Sequence, residues 1–381
     1  MDFSLTEEQL EFKKNAIEFA ERALNEGAKE REKRGEFSHA GWKKCAEFGI
    51  QGISMPEQYG GMGMDILTSV AAMEGLGFAC KDSGLLFAIN STIWTCEAPI
   101  LKFGTDAQKE QYLPGLIQGN LIGGHAITEP DFGSDAFSIR CRAEKKGNSY
   151  ILNGTKTFIT NAPIADVLLV FAVTDPAKKF AGLSVFLVEK TFPGYSIGRR
   201  EDLAGLKTCP LGEVILRDCE VPEANRLGKE GAGAAIFNAE MEFERSCLFA
   251  THLGAMEKIL EECVSYAKIR EQFGKPIGSY QAISHKIADM KVRVELSRLI
   301  LYKAASMKAE GKRAPMESAM AKLYISESYV QNCLDAIQIH GGYGYSSELE
   351  FERHLRDAVA AKIYSGTSEI QRNILASHLG L

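Results

Sequence analysis

No run of about 18 apolar residues occurs in the 381-residue sequence, so it predicts no membrane-spanning helix. Positive charge is not in excess. Lys and Arg number 44 against 50 Asp and Glu, a formal net charge of -6. That balance excludes bulk nucleic-acid binding, which needs a concentrated basic surface. CxxC pairs are missing. The nine cysteines are odd in number and widely spaced, which argues against a disulfide framework and against a zinc or other metal site. It predicts free thiols in a reducing, cytoplasmic compartment. Residues 1–5 have neither a basic n-region nor an apolar h-region, and the last three residues are not a peroxisomal signal; neither address is predicted. HExxH, the GxSxG elbow and the Walker loop are also absent, and no GxGxxG stands between a strand and a helix. The zincin, serine-hydrolase and P-loop classes lose support accordingly.

What is present is ordinary globular composition, 45% apolar and 25% charged, enough to bury a large core and to exclude disorder. Three textures follow one another. Residues 1–120 read as helical, opening with a capping box in which Thr6 and Gln9 cap each other. Residues 121–230 read as strands: 167–173, 183–188 and 212–221 are rich in β-branched and apolar side chains. There Asn153-Gly154, between two alternating runs, predicts a hairpin turn. Residues 231–381 are helical again, with apolar spacing over 283–299. The class is α+β, a β insert between two helical domains.

Four segments carry candidate chemistry. The loop 128–135 combines Thr128, Gly133 and Ser134. It reads either as backbone and hydroxyl donors for a polar ring or phosphate, or as a capping turn between helix and sheet. Arg270–Gly278 is a basic, glycine-containing turn, suited to a pyrophosphate or to plain helix connection. Gly341-Gly342 permits close backbone approach to a ligand. Finally, Phe237, Met241, Glu244, Leu248, Thr251 and Ala255 recur at helical steps. That puts Glu244 in the middle of a largely apolar stripe, while Glu242 points elsewhere. A carboxylate so placed is either ion-paired, for instance with Arg245, or functional.

Taken in order, Phe103-Gly104-Thr105 with Tyr112-Leu113-Pro114, the loop 128–135, 156–161, 270–274, 338–344 and Gly366-Thr367-Ser368-Glu369-Ile370-Gln371 resemble the acyl-CoA dehydrogenase family of flavoproteins over nearly the whole chain. The resemblance implies an α-helical N-terminal domain, a middle β-barrel domain and a C-terminal four-helix bundle, assembled as a homotetramer around FAD. It implies that the backbone of His125 and Ile127, with Thr128, Gly133 and Ser134, surrounds the flavin or its diphosphate. Phe158 and Thr160 would flank the ring system. Arg270, Gln272, Phe273, Gln281, Gln338, Gly341 and Gly342 would reach an FAD held mainly by a neighbouring subunit, and Thr367 and Glu369 would complete the site.

The family removes an α-proton from an acyl thioester with a carboxylate while hydride leaves the β-carbon for the flavin. In many members the base precedes Gly-Thr near the C-terminus; here that position is Ser365, which is no base near neutral pH. A minority, isovaleryl-CoA dehydrogenase among them, carries the glutamate on the first C-terminal helix before an arginine. That is Glu244, followed by Arg245. The stripe and the resemblance thus converge on Glu244. Around it, 241–250 looks most like the prolyl carrier-protein oxidases of anatoxin-type and pyrrole pathways. This implies a carrier-bound prolyl thioester, with a short- or branched-chain acyl-CoA as the alternative. The substrate would meet Ser134, Arg245, Phe249, Tyr364 and Ser365, with Phe249 and His252 shortening the pocket. Oxygen or an electron-transfer flavoprotein would accept the electrons. Arg199, Arg200 and Lys207 read either as a docking patch for an acidic carrier or as a solvated loop.

Overall fold

The computed structural model describes residues 5–381; residues 1–4, part of the start searched above for a signal, lie outside them. Seven helices come first: α1 (Glu7–Ala23), α2 (Ala28–Arg34), α3 (His39–Phe48), α4 (Ile66–Ala79), α5 (Ser83–Thr92), α6 (Ala98–Phe103) and α7 (Asp106–Ile117). The expected capping box starts α1, with the Gln9 N–H 3.2 Å from Thr6 Oγ1 and the Thr6 N–H 3.0 Å from Gln9 Oε1. Thr105 and Gln108 repeat it at α7. A π-helical turn, Ile93–Glu97, joins α5 to α6. The resulting stretch Ser83–Phe103 is long and apolar enough to cross a membrane, contrary to the sequence reading, but 89% of its most apolar 18-residue window is buried inside the fold. Asn90, Ser91, Thr92, Thr95 and Glu97 interrupt its apolar run and hide it from a simple search.

Eight strands follow: β1 (Gly123–Ala126), β2 (Arg142–Lys146), β3 (Ser149–Thr160), β4 (Val167–Val173), β5 (Leu183–Glu189), β6 (Tyr195–Arg200), β7 (Leu211–Pro222) and β8 (Arg226–Leu227). They pair in the order β6-β7-β3-β2-β4-β5-β8, with β1 parallel to β4. Side chains alternate along a strand. In β4, Leu168, Val170 and Ala172 enter a core of the sheet's own, whereas Val167, Leu169 and Phe171 join the main core shared with the helices. Burial on both faces is why β4 reads as an unbroken apolar run.

The hairpin expected at Asn153-Gly154 does not form. Those residues lie inside β3, where the register to β7 slips between Leu152 and Gly154, a bulge. A Cβ at Gly154 would lie 2.7 Å from that of Cys141, so this glycine serves a close approach and not a turn. The turn sits one loop earlier: Lys146 pairs with Ser149, and Gly147 takes φ +61° at the first loop position.

The last region holds α8 (Gly233–Glu244), α9 (Ala250–Ile269), the short pair β9 (Glu271–Gln272) and β10 (Lys275–Pro276), then α10 (Gln281–Ala309), α11 (Pro315–His340), α12 (Gly342–Tyr345), α13 (Phe351–Ala361) and α14 (Ser368–His378). Helix α11 packs against α9, α10, α13 and α14, and α9 packs against α4. A buried carboxylate, Glu74, closes the α4 seam, bonded to Lys13 at 2.9 Å, Arg298 at 3.0 Å and Tyr302 at 2.5 Å. Its charge is affordable because every oxygen has a partner. All nine cysteines are buried and free.

Candidate active site

Glu244 is the last residue of α8, not the middle of one long helix. The apolar spacing continues through residue 255, but the backbone turns at Ser246. The Ser246 hydroxyl donates to the Glu242 carbonyl at 2.6 Å, taking the acceptor that the helix would have used for its next N–H. Ser318 Oγ donates to the same carbonyl at 2.9 Å. The stripe argument therefore holds for Phe237, Met241 and Glu244 and fails beyond them. Glu242 is taken up by Arg313 at 3.0 Å and the Ala314 N–H at 3.1 Å, yet, contrary to the helical count, it lines the same cavity as Glu244.

Facing Glu244 is the turn between α13 and α14. Ser365 and Gly366 take φ +56° and +85° there, conformations that only a well-anchored turn retains in a non-glycine residue. The anchors are visible. The Ser365 carbonyl accepts from Arg245 Nε at 3.1 Å and from Gln371 Nε2 at 3.1 Å. The Gly366 carbonyl accepts from Gln371 Nε2 at 2.8 Å. Ser365 Oγ donates to Glu244 Oε1 at 2.9 Å. Glu244 Oε2 is buried and has no partner, and among the described residues the Ser365 N–H has no backbone acceptor. Arg245 thus braces the turn and is not bonded to Glu244. Burial opposes its charge and lowers its pKa, a pull that Glu244 counters.

Both groups face a cavity of about 630 Å³. His125, Ile127, Thr128, Gly133, Ser134, Glu244, Arg245 and Ser365, all singled out from sequence, line it together. A Cβ at Gly133 would meet nothing within 4 Å, so the loop leaves open space there. The loop is held from behind. Lys156, fully buried, donates to Glu129 Oε1 at 2.8 Å and to the Ile127 carbonyl at 3.0 Å. Glu129 also accepts from the Arg140 and Cys141 N–H groups at 2.6 and 2.8 Å. The Thr157 N–H reaches the Thr128 carbonyl at 2.9 Å, which sets the loop beside Phe158, a 58% exposed ring at φ +54°. Thr160 ends the same strand.

A second cavity, about 740 Å³, is lined by Arg270, Gln272, Phe273, Gly341 and Gly342. Phe273 stands 93% exposed at the tip of the β9–β10 turn. Gln281 and Gln338 are exposed and not in its wall. Thr367 caps α14 through the Ile370 N–H at 3.3 Å, and Glu369 is exposed on the first turn. Phe249 and Tyr364 do not line the first cavity. Phe249 is fully buried one layer behind, its ring 5.0 Å from His252 and 5.8 Å from Tyr364. Tyr364 Oη lies 2.5 Å from His252 Nε2. Burial lowers the His252 pKa to about 3, so the ring is neutral. The Arg199 side chain pairs with Glu201 at 2.9 Å while staying 69% exposed, and Arg200 bonds the Gly35 carbonyl.

Sequence reading missed Asn238, Arg313, Asn373 and Ile374 in the cavity wall. It also missed Glu240, which bonds His125 Nδ1 at 2.9 Å. Position 240 lies four residues before Glu244, and that spacing was the available signal.

The chain belongs to the acyl-CoA dehydrogenase family. Its residues 6–120, 124–219 and 231–380 match the N-terminal, middle and C-terminal domains of acyl-CoA dehydrogenase. It is an FAD-dependent oxidoreductase with that family's fold. It is 41% identical over 381 residues to an L-prolyl-[peptidyl-carrier protein] dehydrogenase of Serratia sp., covering 100% of this chain and 99% of that one. Among solved structures it is similar to the prolyl acyl carrier protein oxidase AnaB, at 47% identity and TM-score 0.98 over 99% of this chain and 100% of that one. It is equally similar in shape to PigA with FAD and proline, at 41% identity and TM-score 0.98 over 100% of both chains.

Proposed function

We propose that the chain oxidises a prolyl group, held as a thioester on a carrier protein, to a pyrroline-carboxyl thioester in a natural-product route of anatoxin type. The observation that carries the chemistry is the buried, unpartnered Oε2 of Glu244 at the cavity wall. The likeness to prolyl carrier-protein dehydrogenases supports the substrate.

The residues fit FAD. An open glycine loop backed by the Lys156–Glu129 pair and the exposed Phe158 suit the ring system and its linker. The unfilled cradle at Gly341 and Gly342, where a Cβ would meet nothing within 4 Å, suits the other end of the molecule. FAD, when bound, supplies the hydride acceptor. Glu244 Oε2 takes the α-proton, while the Ser365 hydroxyl fixes Oε1 and so the direction of the free oxygen. The Ser365 N–H donates to the thioester oxygen as negative charge gathers there, a preorganised donor worth a few kcal/mol of barrier at about the usual magnitude. Ser134 and Arg245 shape the floor. Thr160, Thr367 and Glu369 approach the cofactor from strand and helix ends.

The second cavity belongs to FAD shared with a neighbouring subunit in a homotetramer. The exposed apolar stripe Val292, Leu296, Leu299 on α10 supports such an assembly. Oxygen or an electron-transfer flavoprotein then takes the electrons. Nine buried free thiols favour a reducing, cytoplasmic setting.

The test is to mix anaerobic holoenzyme with prolyl-carrier protein and, separately, with isovaleryl-CoA. Bleaching of the flavin by the prolyl thioester is expected. Bleaching by the CoA ester alone overturns the substrate in favour of a branched-chain acyl-CoA dehydrogenase.

A further inference from the structure

A second ionisable pair reaches the wall of the Glu244 cavity through one of its members, and proton removal by Glu244 makes no use of it. His125 Nδ1, on β1, lies 2.9 Å from Glu240 Oε1, on α8. The Glu240 side chain is 0% exposed and its Oε2 has no partner. The His125 side chain is 18% exposed and lines the cavity, which Glu240 does not. Among the described residues His125 Nε2 has no hydrogen-bond partner. A carboxylate buried this deeply keeps its charge only beside a cation. For His125, burial opposes the charge, but the adjacent Glu240 carboxylate outweighs it and lifts the pKa to about 9. Burial pushes Glu240 itself upward. Glu244 and Arg245 face the same pair, and their opposite charges act on it in opposite directions. The positive end of the pair is therefore the end that meets the cavity.

Hydride transfer gives that end a use. Removing H⁺ and H⁻ from the thioester leaves the proton on Glu244 and delivers two electrons and one hydrogen to a neutral ring, which gains one negative charge. We propose that His125, held as imidazolium by Glu240, stabilises that charge and so raises the reduction potential of the bound FAD, with Glu240 as its positioning residue. The proposal rests on the cofactor site described above, not on the identity of the thioester.

The experiment is a dye-linked reductive titration of holoenzyme at pH 8 without substrate, for the wild type, His125→Gln and Glu240→Gln. Both variants should bind the reduced ring at least about tenfold less favourably relative to the oxidised one, a potential lower by about 30 mV for two electrons. The pH at which the reduced ring takes up a further proton, read from its absorbance, should rise by about one unit. If His125→Gln fails to retain FAD, Glu240→Gln alone decides. A potential unchanged or higher in Glu240→Gln overturns the proposal. No thioester is present, so this result and the substrate test fail independently.

Discussion

The Ser365 hydroxyl donates to Glu244 Oε1 at 2.9 Å while Oε2 of the same carboxylate has no partner. One oxygen is tethered across the gap between α8 and the α13–α14 turn, and the other is left for substrate. Ser365→Ala removes a charge-assisted bond worth about 1.5–3 kcal/mol. The rate of flavin reduction by the thioester should fall about tenfold or more, with FAD content unchanged. Rapid mixing measures it, and an unaltered rate would mean that the tether does not orient the base.

Lys156→Met should destabilise the fold by about 3–5 kcal/mol, because it strands the buried Glu129 carboxylate. The double variant with Glu129→Gln should recover part of the loss. Chemical denaturation of the three proteins decides; equal stability of single and wild type would contradict the clamp.

His252 sets an acid limit. Its folded-state pKa, about 3, lies well below the ordinary 6.5, so the unfolded chain binds a proton that the folded chain refuses. Stability that is intact above 6.5 is lost as pH falls toward 3, by about 2 kcal/mol at pH 5 from this group. His125, raised to about 9, acts oppositely: its contribution is full below 6.5 and lost as pH rises through 9. His252→Gln should show a smaller drop in unfolding free energy between pH 7 and pH 5 than the wild type; an equal drop rules the group out.

Phe273→Ala should weaken FAD binding about tenfold or more yet leave the chain's own melting transition in place, since the ring is 93% exposed in the single subunit. Equilibrium dialysis and apoprotein melting separate the two. Unchanged FAD affinity would count against a shared cofactor.

Much of this was legible in the sequence because it depends on local pattern. Capping at Thr6, the apolar run of β4 and the loop around Gly133 depend on near neighbours. The misreadings came where distant groups decide. Asn153-Gly154 has the composition of a turn, but pairing with β7 and the approach of Cys141 keep it in a strand. The helical spacing through residue 255 survives a break made by the Ser246 hydroxyl, since periodicity does not register where a carbonyl spends its lone pair. Phe249 sits in the right stretch of chain but one layer behind the cavity, and depth is not a property of spacing. The His125–Glu240 pair joins residues 115 apart, beyond any local pattern.

The central claim is that Glu244 takes the α-proton. The direct measurement is the rate of anaerobic flavin bleaching by prolyl-carrier protein in Glu244→Gln, at FAD content equal to the wild type. A fall of at least about 10²-fold is predicted, the lower end for loss of a general base. Bleaching at the wild-type rate would show that this carboxylate is not the base.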